Sequence, residues 1–156
     1  MKSTPARYLL AACAIITCFS LAACSTLSPQ AESQDPGRAV VQSYTEAFNS
    51  RDIDTMGNMM HEDIEWLSVT DEGVQIVSVG RDALVNEMED YFETPNAVTS
   101  KLSGWSIAGP YVSTTETVTW TEERGDVQSQ SALVVYEITD DNHVRRVWYY
   151  PAVEAE

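Results

Sequence analysis

Hydrophobic residues recur every three or four positions directly after Asp35-Pro36. This spacing places them on one face of an α-helix. Aspartate accepts hydrogen bonds from the free N–H groups of a first helical turn, and proline fits the first helical position. The pattern therefore predicts a helix that begins at Asp35-Pro36. Its apolar face contains Val40, Val41, Tyr44, Ala47 and Phe48.

Two shorter helices are predicted from the same spacing. One follows Ser50-Arg51-Asp52, and its inward residues are Ile53, Met56, Met59 and Met60. The other opens at Gly80-Arg81-Asp82 and ends before Pro95, because a proline soon after a helical pattern marks its end. Its apolar face contains Leu84, Met88, Tyr91 and Phe92.

The remaining periodic segments predict strands, because they are rich in β-branched and aromatic residues and are bounded by turn residues. The predicted strands are residues 64–70, 74–79, 99–108, 111–122, 127–138 and 143–150. The order is helix, helix, strand, strand, helix and then four strands. That order indicates an α+β fold, with three helices packed on one face of a strongly curved, mostly antiparallel sheet. Such a sheet leaves a cavity at its open end.

The first 23 residues differ from the rest of the chain. Lys2 and Arg7 precede an apolar run at residues 8–21, and Leu21-Ala22-Ala23-Cys24 follows. This arrangement is typical of a secretory signal, and the run is shorter than the ~20 residues of a transmembrane helix. Leu21-Ala22-Ala23-Cys24 resembles a bacterial lipobox, in which the signal is cut before a cysteine that then carries lipid. The alternative is an ordinary signal cut after small residues, with Cys24 incidental.

The lipobox resemblance implies where the protein is localised. Cleavage would leave Cys24 as a lipidated first residue, so the protein would be exported and anchored in the bacterial envelope through its acyl chains. Ser25 in the second position implies the outer membrane in a bacterium with two membranes. Residues 24–35 are small and polar, and they predict a flexible tether. No cysteine follows Cys24, so we predict no disulfide and no cysteine nucleophile in the domain.

The net charge of the chain restricts which molecules it can bind. The chain has 24 acidic and 9 basic side chains and a formal net charge of −15. Such a chain repels phosphate backbones, so we predict no nucleic-acid partner. The plain interpretation of the acidity is solubility. His61 and His143 lack the spacing of metal ligands, and no glycine-rich phosphate loop is present. We therefore predict no metal and no cofactor.

Four short motifs carry a resemblance to a known superfamily. They are Val40-Val41-x-x-Tyr44, Ala47-Phe48-Asn49-x-x-Asp52-x-Asp54, Met59-x-x-Glu62-Asp63 and Gly80-Arg81-Asp82-Ala83-Leu84. Together with the element order, they resemble the NTF2-like superfamily, in particular its SnoaL-like and ketosteroid-isomerase-like branch, over residues 38–152. The resemblance implies a cone-shaped domain. We assign residues 1–23 to the signal, 24–35 to the tether, 36–152 to the domain and 153–156 to a tail.

The resemblance implies three site positions but argues against the best-known chemistry. Ketosteroid isomerases of this fold use a carboxylate that moves a proton, and a tyrosine and a protonated aspartate that donate to the oxyanion. Here these positions fall on Ser68, Tyr44 and Val134 respectively. A serine without a partner base cannot abstract a carbon-bound proton, and valine cannot donate a hydrogen bond. Glu65 is predicted to point to the other face of its strand. The catalytic set, if there is one, stays unidentified.

The resemblance also implies a pocket. Its predicted lining is Tyr44, Trp66, Ser68, Val134, Tyr136 and Tyr149. Aromatic residues on strands also pack as ordinary core, so the pocket can equally be filled. Apolar residues on both faces of residues 144–150 predict a homodimer through the sheet.

Three functions stay open. The first is an envelope lipoprotein that binds a small apolar or amphipathic molecule. The second is an isomerase, cyclase or hydratase type of enzyme with another residue set, such as Tyr44 with Ser68 and an ordered water. The third is a non-catalytic interaction module. An open cavity with no ionisable group favours the first function. A cavity that holds an acid or His61 favours the second, and a closed, filled cone favours the third.

Overall fold

The computed structural model describes residues 35–94, 98–122 and 124–154. Its three helices confirm the predicted ones. Asp35 caps the first helix, since its side chain accepts hydrogen bonds from the N–H groups of Gly37 and Arg38 at 2.9 and 3.3 Å. The helices are α1 (Pro36–Ser50), α2 (Ile53–Met59) and α3 (Arg81–Phe92). None of the helices in the described ranges is long and apolar enough to cross a membrane.

The strands of the described ranges form one sheet. They are β1 (Met60–Thr70), β2 (Gly73–Val79), β3 (Thr99–Ala108), β4 (Tyr111–Thr121), β5 (Val127–Ile138), β6 (Val144–Tyr149) and β7 (Val153–Glu154). The order across the sheet is β2-β1-β6-β5-β4-β3, and β7 pairs with β5. β1 and β6 run parallel, whereas the other neighbours are antiparallel. The predicted α+β class, with three helices on a curved and mostly antiparallel sheet, is confirmed.

Two details differ from the sequence prediction. β1 begins at Met60, four residues before the predicted start, because Met60 adopts an extended backbone and pairs with Val144. Met60 is fully buried, as predicted, but on a strand instead of a helix. The two-residue strand β7 was not predicted, since a segment this short shows no periodicity. It pairs Val153 with Ser131 of β5.

The two faces of the sheet have different surroundings. Paired residues share a face, and the row Trp66, Val147, Tyr136 and Val112 runs across β1, β6, β5 and β4 on the inner face. The helices pack on this face. The resulting core contains Val41, Tyr44, Ala47, Met56, Met60, Ile64, Leu84, Val112, Val134, Tyr136, Ile138, Val144 and Val147.

Candidate functional site

An acidic side chain lies on the inner face of β4. Val112, Thr114 and Glu116 alternate with more exposed residues along the strand, so the pleat turns all three inward. Glu116 is only 6% exposed. Its strand partners are Ala132 of β5 and Leu102 of β3. A carboxylate therefore faces the core at a position where strand periodicity alone favours an apolar residue.

Two hydroxyl groups hold the Glu116 carboxylate in place. Tyr149 donates its hydroxyl to Oε2 at 2.7 Å, and Ser100 donates its hydroxyl to Oε1. Asn49 of α1 in turn holds the Ser100 backbone: its Oδ1 accepts from the Ser100 N–H at 2.7 Å, and its Nδ2 donates to the Ser100 carbonyl at 2.8 Å. Four elements, α1, β3, β4 and β6, thus orient one carboxylate.

No cationic side chain pairs with Glu116 in the described ranges. The ion pairs found there are Arg146 with Glu65, Arg146 with Glu137, and His143 with Asp141. A carboxylate removed from water without an opposite charge is costly, even when hydrogen bonds satisfy part of it. Within residues 35–94, 98–122 and 124–154, the site therefore contains an acid without a counter-charge.

Three tyrosines surround the carboxylate. Burial, and then the charge of Glu116, raise the pKa of Tyr44. The pKa of Tyr136 is raised by the same two causes, and that of Tyr149 by burial, then by Tyr136 and Glu116. Their hydroxyls consequently stay protonated and available as donors at neutral pH. The Tyr44 hydroxyl is buried and has no hydrogen-bond partner within the described part of the chain.

The carboxylate lies between two cavities. An inner cavity of about 20 Å³ has room for a group about the size of a water molecule. Its lining is Tyr44, Thr45, Phe48, Trp66, Glu116, Tyr136 and Tyr149. A wider groove of about 200 Å³, called the Glu116 groove below, is lined by Glu116, Val118, Gln130, Ala132, Tyr149, Tyr150 and Ala152. Glu116 and Tyr149 belong to both linings, so they form the partition between the two spaces.

Most of the predicted pocket residues meet at the inner cavity. Tyr44, Trp66, Tyr136 and Tyr149 line it, and the rings of Trp66 and Tyr149 stack with centroids 5.0 Å apart. Ser68 and Val134 are not part of that lining. Each of them is a strand partner of Tyr149, and Val134 is fully buried in the core.

Glu65 and His61, two side chains that the sequence singles out, have defined positions in the structure. Glu65 lies on the outer face, as predicted, and binds Arg146. His61 lies in β1, and its Nδ1 accepts the N–H of Asp63 at 3.1 Å. No group of three or more metal-ligating side chains occurs among the residues that the structure describes. Cys24 lies outside them.

Glu116 itself was not predicted as a site residue. The resemblance directed attention to positions 68 and 134, where acids are absent. A signal was nevertheless present, because Glu116 lies in the middle of the predicted strand at the parity of Val112 and Val118, whereas Glu122, the other acid at that parity, is the last residue of the strand. An acid at inward parity in a Val- and Thr-rich strand is a candidate buried carboxylate.

Comparisons with known proteins agree with this fold. A candidate ketosteroid isomerase from Kribbella flavida is similar at 20% identity, with 78% of this chain and 80% of that chain covered and a TM-score of 0.61. The Mycobacterium tuberculosis protein RV0760c, solved with estradiol-17beta-hemisuccinate, has 13% identity, coverage of 76% and 95%, and a TM-score of 0.63. An LEH-like epoxide hydrolase from the same organism has 16% identity, coverage of 74% and 81%, and a TM-score of 0.62. Such identities establish the fold alone.

Sequence comparisons settle the family. No curated protein sequence matches the chain. The family model described as a SnoaL-like domain matches residues 41–147. This match covers more than half of the chain and includes most of α1, Glu116, Tyr136 and most of β6. The chain therefore belongs to the SnoaL-like domain family.

Proposed function

We propose that this protein is an envelope lipoprotein whose SnoaL-like domain binds a small amphipathic molecule in the Glu116 groove, without ketosteroid-isomerase chemistry. One observation carries the proposal: a buried, pre-oriented carboxylate lies in the lining of a largely apolar groove. Ligand sites in proteins combine apolar walls with a few well-placed polar groups. Val118, Ala132 and Ala152 supply the walls here, and Glu116 and Tyr149 supply the polar end.

The size of the groove limits the ligand. Sites for drug-sized molecules usually enclose about 300–1,000 Å³. The groove has about 200 Å³, and the inner cavity adds about 20 Å³. A ligand of a few carbon atoms with one polar group fits this space.

Ketosteroid-isomerase chemistry is not part of the proposal. Ser68 and Val134 occupy the positions where the resemblance places the carboxylate and the aspartate of those enzymes. A positioned base typically contributes 10²–10⁴-fold to the rate of such reactions. We therefore expect the wild-type protein to isomerise 5-androstene-3,17-dione no faster than buffer does. Turnover above buffer that survives Tyr44→Phe would contradict this placement of the site.

Ligand binding can be followed through Trp66. This ring stacks on Tyr149, which lines both the groove and the inner cavity. We expect 1-butanol to shift the tryptophan emission of the wild-type protein, and Trp66→Phe to abolish most of that shift. Trp105→Phe is the matched control, because Trp105 packs under Arg38 at 4.8 Å and lines neither of the two spaces. An unchanged spectrum across short alcohols would contradict the binding proposal.

The lipid anchor is tested separately. The proposal relies on Leu21-Ala22-Ala23-Cys24, whose cysteine is the last in the chain. Wild type should partition into the detergent phase, and Cys24→Ser should not. An intact mass without acyl groups would contradict the anchor.

An acid in the cavity is the feature expected of the second function, an enzyme, and Glu116 meets that expectation. Glu116 is oriented by two hydroxyl groups and lies among tyrosines that stay protonated, and this is a suitable arrangement for moving a proton next to a carbonyl. An enzyme of this kind would exchange the α-hydrogens of cyclohexanone for deuterium in D₂O faster than buffer. Glu116→Gln would abolish that exchange. Equal rates for both proteins and buffer would exclude this function for that ketone.

The third function and the homodimer concern the outer face. Val74, Ile76 and Leu133 are 58%, 64% and 46% exposed. A homodimer through the sheet stays a prediction, and sedimentation of wild type against Ile76→Lys tests it. We expect the substitution to shift the protein towards the monomer.

A further inference from the structure

We infer that the ligand of the Glu116 groove is a small alkylamine, whose ammonium group binds the Glu116 carboxylate while a short apolar tail lies along the groove. This inference rests on the proposed function and specifies the chemical class of its ligand. Three independent features carry it: the missing counter-charge, the acceptors around the carboxylate, and the shape of the groove.

The first feature is electrostatic. Glu116 is 6% exposed, and no Lys, Arg or His of the described ranges forms an ion pair with it. A buried carboxylate gains most from a partner of opposite charge. A ligand with a carboxylate or phosphate would instead meet repulsion, and a neutral ligand would leave the charge uncompensated. Of these ligand groups, a cation therefore offsets most of the free-energy cost of burying the Glu116 carboxylate.

The second feature is the set of acceptors. An ammonium group has three N–H donors and no acceptor. The Glu116 carboxylate and the Tyr149 hydroxyl oxygen offer acceptors in the lining of the groove. An ammonium group at this place finds both charge and hydrogen-bond complementarity.

The third feature is the groove itself. Beyond the carboxylate its walls are Val118, Ala132, Tyr150 and Ala152, with Gln130 as the remaining lining residue. These side chains suit a short alkyl chain. The volume of about 200 Å³ can enclose a short alkyl chain but not the whole of a long acyl chain or a polycyclic amine. The net charge of −15 also favours the approach of cations over anions.

Three probes of equal chain length test the inference: butylammonium, 1-butanol and butyrate. They are titrated into the full mature lipoprotein in nanodiscs, with empty nanodiscs as the blank. The NMR shifts of ¹³C-labelled tyrosine rings report binding, because Tyr149 and Tyr150 both line the groove. We expect butylammonium to bind at least about tenfold more tightly than 1-butanol, as for other desolvated charge pairs, and butyrate to cause no shift.

Two variants separate a specific pair from general attraction. Glu116→Gln keeps the size of the side chain and can still bond both hydroxyls, accepting from one and donating to the other, but it removes the charge. It should weaken butylammonium binding at least about tenfold and change 1-butanol binding by no more than about twofold. Glu72→Gln is the matched control, since Glu72 lies in the exposed turn between β1 and β2 and its loss changes the net charge equally. It should leave the binding of both probes unchanged.

Each contrary result has a definite meaning. Equal butylammonium affinity in wild type and Glu116→Gln would overturn the inference, as would an equal loss in Glu72→Gln. If 1-butanol binds but butylammonium binds no more tightly, the amine class is wrong while the groove still binds ligands. If none of the three probes shifts the tyrosine rings of wild type, the inference and the proposed binding function both fail.

Discussion

Two carboxylates of the same sheet have opposite surroundings. Glu137 lies on the outer face of β5, where Arg146 Nη1 donates to it at 2.9 Å; Arg146 Nε donates to Glu65 at 2.5 Å. Charges thus alternate along a row across β1, β6 and β5. Glu116 lies on the inner face of β4, and its partners among the described residues are the hydroxyls of Ser100 and Tyr149. The outer carboxylates thus have a cationic partner, whereas the inner carboxylate has none in the part of the chain that the structure describes.

The apolar residues of the two faces differ in a similar way. Val134 and Tyr136 on the inner face of β5 are 0% and 2% exposed, because the helices cover them. Leu133 on the outer face is 46% exposed. Stability should therefore depend on the inner apolar residues and binding on the inner charge. The residues of the outer face should contribute less to stability and less to binding. Four measurements test this comparison.

The largest effect is expected from the core. Tyr136→Ala should lower the free energy of unfolding by about 3–5 kcal/mol, because it removes a fully buried aromatic ring. Leu133→Ala, on the outer face of the same strand, should lower the free energy of unfolding by no more than about 1 kcal/mol, because about half of the leucine side chain is already in contact with water. Urea unfolding followed by circular dichroism measures both. Similar losses for the two variants would break the distinction between the faces.

The second effect appears in alkaline solution. The pKa of Tyr44 in the folded state lies above the unfolded value of about 10, because of burial and then Glu116. The stability that this tyrosine contributes is fully present below pH 10, and it is lost as the pH rises towards the folded-state pKa. The loss is about 1.4 kcal/mol per pH unit for each such tyrosine.

Tyr44→Phe tests this prediction directly. Between pH 8 and pH 12 the free energy of unfolding should fall in both proteins. The fall should be about 2–3 kcal/mol smaller in the variant than in wild type. The substitution removes a hydroxyl that has no partner within the described residues, so its effect at pH 8 should be small. If the free energy of unfolding falls equally in the two proteins between pH 8 and pH 12, the burial of the Tyr44 hydroxyl is contradicted.

The third effect concerns the outer charges. Arg146→Met should lower the free energy of unfolding by about 1–2 kcal/mol, because it removes the cation that Glu65 and Glu137 share from either side of β6. Since the arginine side chain is 32% exposed, this figure is below that of a fully buried pair. Thermal melts at low and high salt provide the measurement. A loss that does not shrink in high salt would argue against an electrostatic origin.

The smallest effect has opposite signs on the two faces. Glu137→Gln should lower the free energy of unfolding by about 0.5–1 kcal/mol, since it weakens a pair with Arg146. Glu116→Gln should raise it by about 1 kcal/mol, because it removes a buried charge that has no counter-charge while an amide can still bond Ser100 and Tyr149. Changes of the same sign would mean that both carboxylates serve the fold alone.

Much of the fold is readable from local patterns. Asp35-Pro36 marks the start of α1, because the cap and the proline act on the residues next to them. The strand alternation around Val134 and Tyr136 predicts which side chains turn inward. The early start of β1 at Met60 was not predictable locally, since its extended backbone depends on pairing with Val144, far away in the chain.

The features of the candidate site also fall into those that the sequence predicts and those that require the structure. The sequence by itself determined the SnoaL-like fold class, the aromatic residues Tyr44, Trp66 and Tyr149, and the absence of acids at positions 68 and 134. Only the tertiary structure decided that Glu116 is buried, that Ser100 and Tyr149 donate to it, and that no cationic side chain of the described ranges pairs with it. These partners lie 16 and 33 residues away along the chain. The physical reason is that periodicity reports which face a side chain takes, whereas charge compensation depends on neighbours that only the packing of separate strands brings together.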